Sequence, residues 1–542
     1  MNDRFKTLYG AVDGSAAAFA DNTALYYMGV RISYAELKKD IDACAGWFST
    51  RGVKAGDAVT LCMPNIPQCV VLFYALSKIG AIAHMVHPLA PEAQLKSYMR
   101  SVGSKMLAIP DIMTDKYPSL VGGDAEVLLC SPAYYLGFIR RMLFGIKTMP
   151  ALSGIKRNKN VYSYADAVKC APPSDPDFSD PDAAAVYLHS GGTGGQPKTI
   201  VLSSGAINAL TDNSLEILGI KRFTGGSMLA VLPMFHGFGL AMGVHAMLCY
   251  GGCNTLMPKF HTADTIKLIE QNKINYLIGV PVLYEALLKK PEFSGDKLKN
   301  LRQAFVGGDY VPKRLLSDFN ARMEENGSEA RLYEGYGLTE TVTVCAVNTT
   351  YASRAGSVGR PVGGVSIAAF DADSNPLPAG ETGELCISGD ELMNGYLHDE
   401  ADEKRVFFTF GGKKWVRSGD VGSVDSDGFV FFKSRIKRIA KVNGVTVFPS
   451  EIERLCMDEI AGIKEACAAA VSDERTGDSV TLFVTLRDSA VSGEELSGEI
   501  KELVKNRLSV YAVPKRVIYV DEFPKTLVGK VDVNALKEKY CK

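Results

Sequence analysis

The sequence predicts an α/β fold: a large N-terminal domain of several subdomains with parallel-rich sheets, followed by a small α+β domain. Three observations lead there. Over the first four hundred residues, short apolar runs alternate with amphipathic helical segments, the signature of parallel strands joined by helical crossovers. Near Ser357–Ser434 the pattern turns to closely spaced strands bounded by Gly, Asp and Asn. Beyond Arg435 a third, mixed pattern begins. At 542 residues the chain also exceeds what one core supports.

The elements follow in order. DAVTLCMP reads as a strand, QCVVLFYALSKIG as a helix and AIAHMVHP as the next strand. INYLIGVP, VLYEALLK and LRQAFVGG repeat that unit. VSIAAFDA, GELCISG and GFVFFKS are the short strands of a β-rich subdomain. The small domain opens with the helix SEIERLCMD and continues with strands CAAAVSD and VTLFVTLR. It closes with the charged helix GEELSGEIKELVKNRL, the strand RVIYVD, the loop PKTLVGK and a last helix. The change of pattern at Arg435–Lys437 divides the chain into 1–436 and 437–542.

Composition narrows the class. A net charge of −1 offers no global attraction to nucleic acid or to an anionic surface. The 12 cysteines are scattered without a C-x-x-C pair, which suits a reduced, cytoplasmic thiol set better than disulfides or zinc. MNDRFKTLYG lacks an apolar signal core. Met228–Tyr250 is long enough to span a bilayer, but Pro233, His236 and His245 interrupt it, so a buried core segment is expected.

One stretch has a local charge bias. From Val127 to Ala165 there is no Asp or Glu, and Tyr134, Tyr135, Ile139, Met142, Leu143 and Phe144 lie among Arg140, Arg141, Lys147, Lys156, Arg157 and Lys159. Segment 134–159 has two readings. It is a surface helix that packs its apolar side on the domain, or a peripheral membrane contact that guides an amphiphilic substrate. Imperfect helical periodicity favours the first.

Chemistry concentrates in four motifs. HSGGTGGQPK, His189–Lys198, follows an apolar run; its glycines let backbone N–H groups converge on an anion, and Ser190, Thr193 and Lys198 add donors and charge. The spacing is not that of the ordinary P-loop. YEGYGLTET, Tyr333–Thr341, offers Tyr336 to stack on a planar base, Thr339 for a phosphate and Glu340 for its Mg²⁺. In WVRSGDVG, Asp420 sits on a Gly-bounded turn suited to ribose hydroxyls. FPKTLVGK ends in Lys530, held by loop geometry. Each is a common turn by itself; the four in this order are not coincidental.

Together they resemble the adenylate-forming superfamily of acyl-CoA synthetases, firefly-type luciferases and nonribosomal-peptide adenylation domains, over nearly the whole chain. Supporting stretches are SYAEL, Ser33–Leu37, and GVKAGDAVTLCMPNIPQCVVLFYALSKIGAI. The resemblance implies a mobile C-terminal domain on a hinge, with ATP, Mg²⁺ and CoA as cofactor and substrates. Within His189–Lys198, Ser190–Lys198 aligns without a gap to TSGTTGxPK; Gly191 and Gly194 replace hydroxyl residues, and Thr199 stands where Gly is usual. Tyr336 then stacks on adenine, Thr339 meets the α-phosphate, and Glu340 with Thr193 holds Mg²⁺. Gly308 and Asp309 border the adenine, Asp420 and Arg435 bind ribose, and Lys437 is the hinge. Lys530 is the adenylation lysine, while Lys441 and Gly444 face the thiol in the second step.

The family's next motif falls on LPMFHGFGL. Amino-acid-activating relatives place an Asp there; this chain has His236, as acyl- and aryl-CoA ligases do. Phe238, Val306, Gly307 and Gly335 complete the implied acyl pocket. Glycines 237, 239, 307 and 308 suggest room for a long or flat acid. A medium- or long-chain fatty acid is favoured, with an aromatic acid as the second choice. The competing readings are an enzyme that loads a separate acyl carrier protein, no carrier segment being expected after Lys542, and an inactive adenylate-binding scaffold.

Overall fold

The protein is described by a computed structural model, which covers residues 7–137, 139–144, 159–175, 177–190, 198–221, 223, 225–487, 493–525 and 531–541. Two large sheets form the N-terminal part. The nine-stranded sheet runs from Arg360–Pro361 at one edge to Val30–Ser33 at the other; from Leu332–Gly337 to Thr23–Tyr27 its strands pair in parallel, and both ends are antiparallel. The eight-stranded sheet is parallel from Ala184–His189 to Val161–Ser163 and antiparallel where Thr199–Ser203 joins.

Local chemistry sets the helices between them. Ser33 caps Tyr34–Thr50 in a reciprocal box: its hydroxyl accepts from Glu36 N–H, and Glu36 Oε2 accepts from Ser33 N–H at 2.8 Å. That is the SYAEL stretch. Pro67 starts the helix Pro67–Lys78, every residue of which is buried. A helix apolar on all sides needs cover on all sides; it belongs to the largest core, with Phe73, Leu188, Leu240, Val342 and Leu385.

A third, antiparallel sheet contains Ser366–Phe370, Gly383–Ser388, Phe407–Phe410, Lys413–Val424 and Val430–Arg435. The fourth joins Ala440–Val442, Val445–Val447, Ile463–Asp473, Gly477–Leu486 and Arg516–Tyr519 over its own core of Ile452, Leu482, Val484 and Ile500. The fold is α/β with parallel-rich sheets and a smaller C-terminal unit.

Met228–Tyr250 is a strand, Ser227–Ala230, followed by a π-helix, Phe238–His245, and the short helix Ala246–Cys249. Among the described residues no helix is long and apolar enough to cross a membrane. Segment 134–159 meets its first reading only in part: Tyr134, Tyr135 and Leu136 pack against the largest core, residues 138 and 145–158 lie outside the described residues, and residues 139–144 differ. They are helical, but Ile139, Met142 and Leu143 are 69%, 51% and 59% exposed, so their apolar side is not packed on the domain. Arg140 donates to Met28 O, and Met28 is exposed too.

Candidate active site

Strand pairing assembles the first cluster of the predicted site residues. Asp420 and Arg435 are direct partners across the antiparallel strands Lys413–Val424 and Val430–Arg435. Tyr336, on Leu332–Gly337, donates from Oη to Asp420 Oδ2 at 2.7 Å, and Arg435 Nε lies 3.1 Å from Oδ1. Ser418 Oγ accepts from Asp420 N–H at 3.0 Å, holding the turn. Asp420 is 1% exposed, so its charge stands only because it is paired.

A second cluster surrounds Glu340. Tyr396 Oη donates to Glu340 Oε1 at 2.9 Å, and Glu340 O accepts from Met393 N–H. Lys198 Nζ lies 4.4 Å from the Tyr396 ring centroid and pairs with Asp402. The last residue of the Gly-rich motif is thereby tied to the carboxylate of the next one. Asp402 and Tyr396 had no sequence signal, since neither lies in a Gly-rich motif. Thr193, in residues 191–197, and Lys530, in residues 526–530, lie outside the described residues.

Thr339 and Glu340 open a short 3₁₀ turn, Thr339–Thr341, which ends in Val342 at φ +60° and ψ −59°, with Thr343 N–H donating to Thr341 O at 2.5 Å. A buried β-branched residue in that conformation is strained, a feature of sites that must hold one geometry. Val342 O lies against Gly237, where an added Cβ would overlap it. The turn bearing Glu340 and the segment bearing His236 are thus locked backbone to backbone.

The donor set suits magnesium, which is held through one or two carboxylates, phosphates and waters. Glu340 supplies one carboxylate, and among the described residues no cluster of three His, Cys, Asp or Glu side chains gathers into a protein-only metal cage.

With this geometry in view, comparison with known proteins is decisive. The AMP-binding enzyme model matches residues 12–397, and the AMP-binding enzyme C-terminal domain model matches residues 451–530. The chain belongs to the AMP-binding enzyme family. It is an AMP-forming acid–thiol ligase. The long-chain-fatty-acid–CoA ligase of Bacillus subtilis (strain 168) is 28% identical over 538 residues, spanning 97% of this chain and 93% of that one. 4-Coumarate–CoA ligase 2 of Nicotiana tabacum is 25% identical over 515 residues, 94% of this chain and 89% of that one. The crystal structure of ATP-bound MatB from Rhodopseudomonas palustris shares the fold at a TM-score of 0.82 and 22% identity, over 99% of each chain.

Two expectations about the ligase's acyl pocket need correction. Val306 is 1% exposed and belongs to the core cluster with Leu283, Leu315 and Phe319; Phe305 shares a cluster with Leu232, Phe238, Met242 and Ile278. Neighbours on a strand face opposite sides, so Phe305, not Val306, faces the side of Phe238. The glycines do not make room either. Added Cβ atoms at Gly237, Gly239 and Gly307 would meet Val342 O, Pro233 O and Gly335 O, so these glycines serve close backbone packing. Only at Gly308 is the nearest atom distant, Val280 Cγ1 at 3.7 Å. Gly335 packs near Ala346 O, and His236 is exposed.

The small unit meets this site edge-on. Arg454 donates to Phe432 O at 2.6 Å and lies over the rings of Phe432 and Tyr310, 5.1 and 5.3 Å from their centroids. Burial pushes the Glu334 carboxyl up to about 7, against the pull of Arg454. Asp309 accepts from Tyr310 N–H and sits in the field of the Arg438–Glu453 pair. Lys437 is exposed on the 3₁₀ turn Ile436–Arg438. Asn443 and Gly444, at φ +50° and +78°, form the two-residue turn between Val442 and Val445. That is the backbone of a tight hairpin, so position 444 needs a residue that tolerates the left-handed region whether or not a thiol passes. Lys441 Nζ donates to Thr446 Oγ1 at 2.6 Å.

Proposed function

We propose that this chain activates a medium- or long-chain fatty acid with ATP and transfers the acyl group to CoA. The observation that carries it is the Tyr336–Asp420–Arg435 cluster together with the Glu340–Tyr396–Lys198 cluster, with the acid segment His236–Phe238 locked at Gly237–Val342 onto the turn that bears Glu340. The lack of an Asp in LPMFHGFGL supports a simple acid over an amino acid, and the long-chain-fatty-acid–CoA relative supports the acyl class. The exposed apolar side of residues 139–144, with Arg140 and Arg141, supports delivery of the acid from an anionic bilayer surface.

In the first step a carboxylate oxygen attacks the α-phosphorus; the new P–O bond forms as the bond to pyrophosphate breaks. The carboxylate is already ionised at neutral pH, so no general base is needed. Tyr336 stacks on adenine beside Gly308 and Asp309, Asp420 and Arg435 hold ribose, and Thr339, Ser190, Lys198 and Lys530 meet developing phosphate charge. Mg²⁺, which Glu340 and Thr193 would hold, would supply charge neutralisation on the phosphates. In the second step the CoA thiol attacks the acyl carbonyl, the C–S bond forms, AMP leaves and the thiol proton goes to solvent. Rotation at Lys437 brings Lys441 and Gly444 to that step.

Pyrophosphate release across acids from acetate to palmitate, with benzoate, cinnamate and amino acids, with and without CoA, tests this. Acyl-CoA from palmitate is expected. Turnover confined to cinnamate establishes the second reading, which the 4-coumarate–CoA relative supports. Adenylate without CoA turnover points to a carrier protein, and silence throughout leaves an inactive scaffold.

A further inference from the structure

Five polar side chains that this chemistry leaves unused stand in file below the stems of the Gly-rich motif. Thr199 Oγ1 is 3.4 Å from His189 Nδ1, His189 Nε2 is 2.8 Å from His84 Nε2, and His84 Nδ1 is 2.9 Å from Thr60 Oγ1. Thr60 Oγ1 is 2.9 Å from Ser104 Oγ, which is 2.9 Å from Met106 O. The file crosses the eight-stranded sheet, and His84 and Thr60 are wholly buried.

Donor counting gives the file one direction. The Met106 carbonyl only accepts, so it takes the Ser104 proton. Ser104 Oγ must then accept from Thr60, and Thr60 Oγ1 must accept from His84 Nδ1–H. A neutral imidazole carries one N–H. His84 Nε2 therefore accepts, His189 Nε2–H donates, and His189 Nδ1 accepts from the Thr199 hydroxyl. Each proton has one place, and each histidine one tautomer. Burial holds both neutral: His189 is pushed down to about 4, and His84 is held well below the ordinary histidine value by burial and by His189.

The file ends where the motif begins. His189 and Thr199 are the last register pair of their antiparallel strands. Immediately beyond, Ser190 N–H donates to Lys198 O at 2.9 Å, and Lys198 N–H donates to Ser190 Oγ at 3.1 Å. The Tyr98 ring stacks on His189 at 3.9 Å and 16°. His189 is thus clamped on its face and at both nitrogens.

We propose that His84 and His189 are positioning residues for adenylation: their one-way relay fixes the stems from which Ser190 and Lys198 reach the nucleotide phosphates. This rests on the proposed adenylation, and it assigns a role to Thr199, which replaces the glycine expected at that place.

Two readouts test it. In ¹⁵N-histidine NMR the relay requires two non-titrating neutral imidazoles, an Nδ1–H tautomer that disappears in His84→Gln and an Nε2–H tautomer that disappears in His189→Gln. Identical tautomers, or titration of either near the free value, would overturn it. The second readout separates half-reactions. His84→Leu leaves His189 N–H facing a methyl; it should raise KM for ATP and slow adenylation by about ten- to a hundredfold. Thioester formation from synthetic acyl-adenylate and CoA should be untouched. His84→Gln, whose carbonyl restores the acceptor, should recover adenylation. Equal loss in both half-reactions without rescue by glutamine would make the pair mere packing and sink the role. If His84→Leu does not fold, Thr199→Val asks the same question at the other end, and an unchanged KM for ATP would count against the relay. If the wild type adenylates no acid, the proposed function fails, while the tautomers and the ATP affinity of the variants by calorimetry still decide the relay.

Discussion

The phenol of Tyr336 donates to one oxygen of Asp420 while Arg435 Nε sits 3.1 Å from the other, so the residue proposed to stack on the base and the carboxylate proposed to hold the ribose are one bonded unit. Phe432, 6.0 Å from Tyr336 between ring centroids, links that unit to Arg454 of the C-terminal region. The proposed nucleotide site and the seating of the small unit thus share residues.

Tyr336→Phe removes a hydrogen bond to a buried carboxylate, an interaction worth about 1.5–3 kcal/mol. The urea midpoint should fall, and AMP affinity should fall less than in Asp420→Ala. An unchanged midpoint would mean the bond contributes nothing in solution.

Gly237→Ala drives a Cβ into Val342 O, and Val342 is already strained at φ +60°. Overpacking of this kind destabilises by about 1–3 kcal/mol. Both stability and adenylation should drop, because the turn of Glu340 and the segment of His236 separate. Wild-type pyrophosphate release in Gly237→Ala would dissolve the proposed lock.

Acid should weaken the fold between roughly pH 6.5 and pH 4. His189 is pushed down to about 4 and His245 to about 3, both by burial, and His84 also falls. Their unfolded value is about 6.5. As pH falls through that value the unfolded chain takes up protons that the fold refuses, so stability is complete above it and is lost below. Each group contributes up to about 1.4 kcal/mol per pH unit in that window. His245, bonded to Tyr74 Oη and Asn208 Oδ1, is the clean probe. Denaturation at pH 7.5, 6 and 5 should show a shallower slope in His245→Gln, and equal slopes would refute the assignment.

Lys530→Ala should slow adenylation by about two to three orders of magnitude, the scale of a lost oxyanion partner. Thioester formation from synthetic acyl-adenylate should survive. Loss of both steps together would remove Lys530 from the mechanism.

Gly444 needs two substitutions, because its turn alone requires a left-handed residue. Gly444→Asn keeps that conformation and Gly444→Trp fills the space around it. CoA turnover reduced in both, with adenylation intact, supports a thiol passing this backbone. Full turnover in the tryptophan variant would leave only the hairpin.

The sequence alone determined the α/β class, the strand–helix–strand units and the residues Tyr336, Glu340, Asp420 and Lys198, because periodicity and Gly-rich turns are short-range signals carried by adjacent residues. The tertiary structure decided the rest. It placed Tyr396 and Asp402 on Lys198, set Phe305 rather than Val306 beside Phe238, and turned Gly237 from open space into close packing. It brought His84 to His189 across 105 positions. None of these has a local signature. Which side chains meet depends on strand register, where a shift of one residue reverses the face, and register is set by the packing of whole sheets.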